Sequence, residues 1–150
     1  MRFEIAREDW KESMPENGRY TARVCKIIFS RLLQVLNENT NFGIVVDSSD
    51  VEKVLGTSEY GFFCSCHSDD LFTAVKQAKD ITYTNTILRS SRRLALIVAP
   101  KESYADTDSA LFQLTESEEN QLVWGLALDS EIDEYFAILF VGIKTQSQNR

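Results

Sequence analysis

The sequence predicts a single α+β domain built on one mixed sheet of five or six strands. A long N-terminal helix, two shorter helices and a C-terminal antiparallel meander complete that expectation. Three observations lead to it. Residues 20–36 carry apolar side chains at spacings of three and four, the mark of an amphipathic helix. Short apolar runs rich in β-branched and aromatic residues follow, bounded by polar turns. Helical patterns separate the early runs, whereas the late runs succeed one another with little between them. At 150 residues, with two prolines and six glycines, the chain fits one domain over 1–150 that buries a real core.

Taken in order, residues 1–18 are mixed. Phe3, Ile5 and Trp10 suit a short strand or helix packed on the body, and Pro15, Asn17 and Gly18 then break the chain. In the long helix Val24, Cys25, Ile28, Leu32, Val35 and Leu36 form the apolar stripe, with Arg19, Arg23 and Lys26 along one edge. A polar turn over 37–41 ends it. Residues 42–47 read as a strand buried on both faces. Ser48 or Ser49 caps a short helix that Gly56 closes.

Residues 60–66 read as the next strand. Ser68 then suits an N-cap, with Asp69 and Asp70 at the positive end of a helix reaching about residue 79. Leu71, Phe72, Val75 and Ala78 give that helix its apolar stripe. Threonines alternate with Ile81, Tyr83 and Ile87 over 80–93, which suits an edge strand. Residues 94–99 are a buried strand stopped by Pro100. A polar loop over 101–109 leads to strands at 110–115, 121–128 and 135–144. Thr115 to Glu118 also spell a capping box, so 118–128 is open to a helical reading; Val123, Trp124 and Gly125 favour the strand. The predicted core holds Leu32, Val45, Phe62, Leu96, Ile97, Leu126, Ile138 and Phe140. Residues 1–18 and 145–150 are expected at the periphery.

Charge is unevenly placed. Residues 1–100 hold 13 basic and 13 acidic side chains, whereas residues 101–150 hold three basic and ten acidic ones. The whole formal charge of −7 therefore sits in the last third. Such a block steers basic partners and repels nucleic acid. It points first to a small acidic, non-catalytic interaction or inhibitor domain of the immunity, anti-defence or chaperone kind. Its binding residues would be Glu116, Glu118, Glu119, Asp129, Glu131, Asp133 and Glu134.

Two alternatives stand beside it. If 42–47 and 60–66 are parallel neighbours, Asp47, Asp50, His67, Asp69 and Asp70 gather where open α/β sheets bind ligands. Carboxylates beside one histidine can hold a divalent cation and activate water, as in a metal-dependent phosphodiesterase or nuclease. The same acids also suit helix capping, and no Gly-rich phosphate loop, nucleophile elbow or HExxH motif accompanies them. Alternatively Arg89, Arg92 and Arg93 grip an anionic small ligand, as in a sensor or sponge.

Cys64 and Cys66 alternate onto one strand face with Phe62, which suits core thiols better than a zinc site short of ligands. No cofactor or metal is expected. Three cysteines without a framework spacing suit a reducing compartment. The acidic start lacks an apolar leader, and the longest apolar run has nine residues where a spanning helix needs roughly twenty. The expectation is a cytoplasmic protein without membrane or nucleic-acid contact, and a free edge at 135–144 would suit a homodimer.

Overall fold

A computed structural model describes residues 9–12, 14–44, 46–56, 58–85, 92–101, 104–114 and 121–143. The elements are α1 (Asp9–Glu12), β1 (Gly18–Thr21), α2 (Ala22–Asn39), β2 (Asn41–Ile44), α3 (Ser48–Leu55) and β3 (Tyr60–Ser68), then α4 (Leu71–Asn85), β4 (Arg92–Ala99), α5 (Tyr104–Leu111), a 3-10 turn (Phe112–Leu114), β5 (Gln121–Leu128) and β6 (Tyr135–Ile143). The fold is α+β on one six-stranded mixed sheet, with the long helix early, as the sequence predicts. No helix among the described residues is long and apolar enough to cross a membrane.

The sheet order is β1-β3-β6-β4-β5-β2. All pairs are antiparallel except β4–β5. The expected antiparallel meander is therefore corrected: β4 lies between β5 and β6, and β4 and β5 run parallel. Parallel neighbours need a crossover, and residues 104–114 supply it as helix. The expected loop at 101–109 and strand at 110–115 are instead α5 and its 3-10 turn. Thr107, Ala110, Leu111 and Leu114 are all buried, a helical spacing in which the threonine masks the apolar signal.

The central strands are buried on both faces, which explains their unbroken apolar runs. Leu94, Leu96, Val98, Ile138 and Phe140 join α1, α2 and α3 on one face. Ala95, Ile97, Ala99, Ala137, Leu139, Val141 and Ile143 join α4 and α5 on the other. Helices thus cover both faces. Of the predicted core, Leu32, Phe62, Leu96, Ile97, Leu126, Ile138 and Phe140 are buried, and Val45 lies outside the described residues.

Helix α2 begins where the Thr21 side chain accepts the Val24 N–H at 3.3 Å. It ends where the Thr40 N–H and hydroxyl both donate to the Leu36 carbonyl, at 2.8 and 2.6 Å. Its buried stripe is Cys25, Phe29, Leu32 and Leu36, so Val24 turns outward. Residues 42–47 do not make a doubly buried strand. Strand β2 is a four-residue edge with a bulge between Phe42 and Ile44. Gly125 lets it close on β5, because a Cβ there would strike the Val46 side chain and lie 3.0 Å from the Ile44 carbonyl oxygen.

Helix α4 runs to Asn85, where an edge strand was expected from residue 80. Ala74, Val75, Ala78 and Thr82 stay buried at helical spacing, so packing overrides the β preference of the threonines. Ile87 lies outside the described residues. Strand β6 is interior, bonded to β3 and β4, so it offers no free edge for a homodimer.

Candidate functional site

The strand-end acids divide into two groups. Asp47 and Asp50 form a capping box on α3, a role expected of Ser48 or Ser49. Asp47 Oδ1 accepts the Ser49 and Asp50 N–H groups at 3.0 and 3.3 Å, and Asp50 Oδ2 accepts the Asp47 N–H at 2.9 Å. The Ser49 hydroxyl, and then the Asp50 backbone, hold the Asp47 carboxyl below its ordinary range. His67, Asp69 and Asp70 lie at the end of β3, four places away in sheet order from β2. The parallel pairing that would gather all five is absent, because β3 takes antiparallel β1 and β6 as neighbours.

Each member of the second group has a local partner. Asp70 caps α4, accepting the Thr73 N–H at 3.0 Å and its hydroxyl at 2.6 Å. Ser68, the expected cap, accepts the Asp70 N–H at 3.2 Å. His67 Nδ1 lies 3.0 Å from Glu134 Oε1, with the imidazole tilted over Phe136 at 5.3 Å between centroids. The pairing of β3 with β6 brings them together, since His67 sits opposite Phe136.

The described members of the expected acidic docking set do not all reach the surface. Glu116, Glu118 and Glu119 lie outside the described residues. Asp129 is buried, accepts the Trp10 indole N–H at 3.0 Å and the Glu131 N–H at 3.1 Å, and donates its own N–H to the Ala99 carbonyl at 2.9 Å. Glu131 and Asp133 are exposed around buried Ile132. Of the expected anion grip, Arg89 lies outside the described residues, and Arg92 opens β4 opposite Gln121. Arg93 is buried: its Nη1 donates to the Leu114 carbonyl at 2.9 Å, and its guanidinium lies 4.8 Å from the Tyr83 ring centre.

The thiols are core groups. Cys64 and Cys66 Sγ lie 4.0 Å apart and buried. The neighbouring Cys66 sulfur, and then burial, push the Cys64 thiol up. Burial raises Cys25 to about 11.

What the sequence missed is two exposed aromatic side chains. Phe72 is 51% exposed and Phe112 is 75% exposed. The Gln113 side-chain amide joins the 3-10 turn to α4 and α5, donating to the Phe72 carbonyl at 3.2 Å and to the Ala110 carbonyl at 3.0 Å. Phe72 borders an open cleft of about 360 Å³ whose lining also includes Asp69, Asp70, Asp106, Ser109 and Tyr135. Its carboxylates disfavour phosphate and other anions. Sequence reasoning placed Phe72 in the buried stripe and Phe112 in a strand. The available signal was the angle between Leu71 and Phe72: Leu71, Val75 and Ala78 share a face that Phe72 leaves.

No family model matches the chain, and no curated protein matches it. Among solved structures it is similar to an FtsZ dimer of M. jannaschii, at TM-score 0.60 and 18% identity over 81% of this chain and 37% of that one. It is also similar to a tryptophan-to-tyrosine mutant of M. jannaschii FtsZ, at TM-score 0.63 and 16% identity over 81% of this chain and 39% of that one. The chain thus spans under two fifths of the FtsZ chains it matches. The fold is FtsZ-like, and this overturns the expectation of an acidic inhibitor-type domain for a basic partner, together with the phosphodiesterase and anion-sponge alternatives offered beside it.

Proposed function

We propose that this chain is a self-associating assembly module with an FtsZ-like fold. The exposure of Phe72 on α4 and of Phe112 on the 3-10 turn that packs on α4 carries the reading. Two large aromatic rings facing water are costly in a lone monomer and ordinary at a protein interface. The fold likeness supports it, since one of the FtsZ structures is a dimer. Cleft acids that disfavour phosphate favour a contact surface over nucleotide binding at that place.

Sedimentation velocity over a range of concentrations tests the proposal. The wild-type chain is expected to grow beyond a monomer as concentration rises. Phe72→Ser with Phe112→Ser is expected to weaken association by about tenfold or more, the range of interface hot spots. A wild-type chain that stays monomeric to about 1 mM would overturn the reading.

A further inference from the structure

We propose that Cys64 and Cys66 are a modification site for peroxide: a buried dithiol that closes into a strained, reversible disulfide. The chemistry is independent of self-association. Cys64 and Cys66 stand two apart on β3, so both side chains join the core on the α4 face of the sheet, where their sulfurs lie 4.0 Å apart. Cys25, the third cysteine, belongs to the core on the opposite face of the sheet. An oxidised sulfur at 64 or 66 therefore has its strand neighbour, and not Cys25, within reach.

Exposure sets the order of events. Cys66 is 8% exposed and Cys64 0%, so a small neutral oxidant meets Cys66 first. The adjoining Cys64 sulfur also holds the Cys66 thiol below its ordinary value, against the effect of burial. The Cys66 thiolate takes one oxygen from hydrogen peroxide: an S–O bond forms, the O–O bond breaks, and the hydroxide that leaves takes up the proton Cys66 released. The sulfur, now a sulfenic acid, is oxidised and the peroxide is reduced to water. The Cys64 sulfur then attacks the Cys66 sulfur. The S–S bond forms, the S–O bond breaks, and the departing hydroxide leaves with the Cys64 proton as a second water. Two thiols and one peroxide thus give one disulfide and two waters.

Strand geometry makes the bridge labile. Alternate Cα atoms in a strand lie roughly 6.6 Å apart, the far end of what a disulfide spans and beyond its usual ~5.5–6 Å. Closure must draw Cys64 and Cys66 together and pucker β3 at Ser65. Strand β3 is placed to yield there. Its pairing with β1 ends at Phe63, and the Ser65 N–H donates instead to the Asn17 side chain at 2.8 Å. On the other side β6 pairs throughout, with Ile138 opposite Ser65. The pucker costs the folded state stability, while so short a loop constrains the unfolded chain little. A strained bridge is easily reduced, as suits a regulatory disulfide rather than a structural one.

The experiment treats the full chain with hydrogen peroxide in native buffer and follows it by intact mass and peptide mapping. The product is expected to have lost two hydrogens from the peptide that carries residues 64–66, to keep Cys25 as a thiol, and to return to its starting mass in dithiothreitol. Its thermal midpoint is expected to lie about 3 °C or more below that of the reduced chain. Cys64→Ala cannot close the bridge and is expected to hold Cys66 as a sulfenic acid that dimedone traps. Cys66→Ala is expected to leave Cys64 unreacted under the same treatment. Alanine is small and apolar enough for these core positions, circular dichroism reports whether each variant folds, and the wild-type result stands without them. A wild type that keeps its three thiols, that forms the bridge only in denaturant, that loses Cys25 as fast, or that carries Cys66 to sulfinic acid without bridging overturns the site. A bridge that leaves the thermal midpoint unchanged or raises it overturns its strained, regulatory character.

Discussion

The indole N–H of Trp10 donates to Oδ2 of Asp129 at 3.0 Å, joining positions 119 residues apart. Trp10 is fully buried, and its ring meets Phe136 edge-on at 4.9 Å between centroids. The bond satisfies a buried donor and helps hold a buried carboxylate, so it ties α1 to the turn between β5 and β6. Asp129 also orders that turn through the Glu131 N–H.

Replacing Asp129 with alanine leaves the indole and the Glu131 N–H without that acceptor. The expected loss is about 1–3 kcal/mol in folding stability by denaturant titration. Asp129→Asn, which keeps the shape and an acceptor, is expected to cost less. A double-mutant cycle with Trp10→Phe is expected to show coupling of at least about 0.5 kcal/mol. Additive losses would show that the contact contributes nothing of its own.

Gly142 lies where β6 passes the end of α3. A Cβ there would lie 2.7 Å from the Val54 carbonyl oxygen and 2.8 Å from Ser58 Oγ. Backbone cannot yield as a side-chain tip can. Gly142→Ala is expected to destabilise by about 1–3 kcal/mol, read from the thermal or denaturant midpoint. A variant within about 0.5 kcal/mol of wild type would mean that α3 shifts freely on the sheet.

Strands β3, β4, β5 and β6 were legible because unbroken apolar runs have few other uses. Helix α2 was legible from its spacing, although the stripe is rotated so that Phe29 faces inward and Val24 outward. Sheet order was not legible. Local pattern says that 94–99 and 121–128 are strands, but their parallel pairing depends on residues 104–114 being helix, which Thr107 disguises. The site was hidden for a related reason. Acidity in sequence cannot distinguish Asp129, buried under Trp10, from exposed Asp133. Nor does hydrophobicity alone distinguish Leu71 from Phe72; only the face each occupies does.

The His67–Glu134 pair is expected to add little stability. The side chains are 60% and 40% exposed, and ion pairs in such positions are worth about 0–1 kcal/mol. His67→Ala is expected to stay within about 1 kcal/mol of wild type, which a denaturant titration reads directly. A larger loss would mean that the imidazole supports the end of the β3–β6 pair through its packing on Phe136.

Cys25 gives the fold an alkaline limit. Its thiol is buried against Gly61, and burial raises it from 9.0 to about 11. The unfolded chain therefore releases this proton at lower pH than the folded chain does. Stability from this group is complete below about pH 9 and is lost as pH rises from there through about 11. Tyrosines and lysines titrate in the same range, so the informative quantity is the difference between wild type and Cys25→Ala. That difference is expected to be constant from pH 7 to about 9 and then to move against wild type. A difference that stays flat to about pH 11 would mean that the folded thiol ionises as readily as the unfolded one.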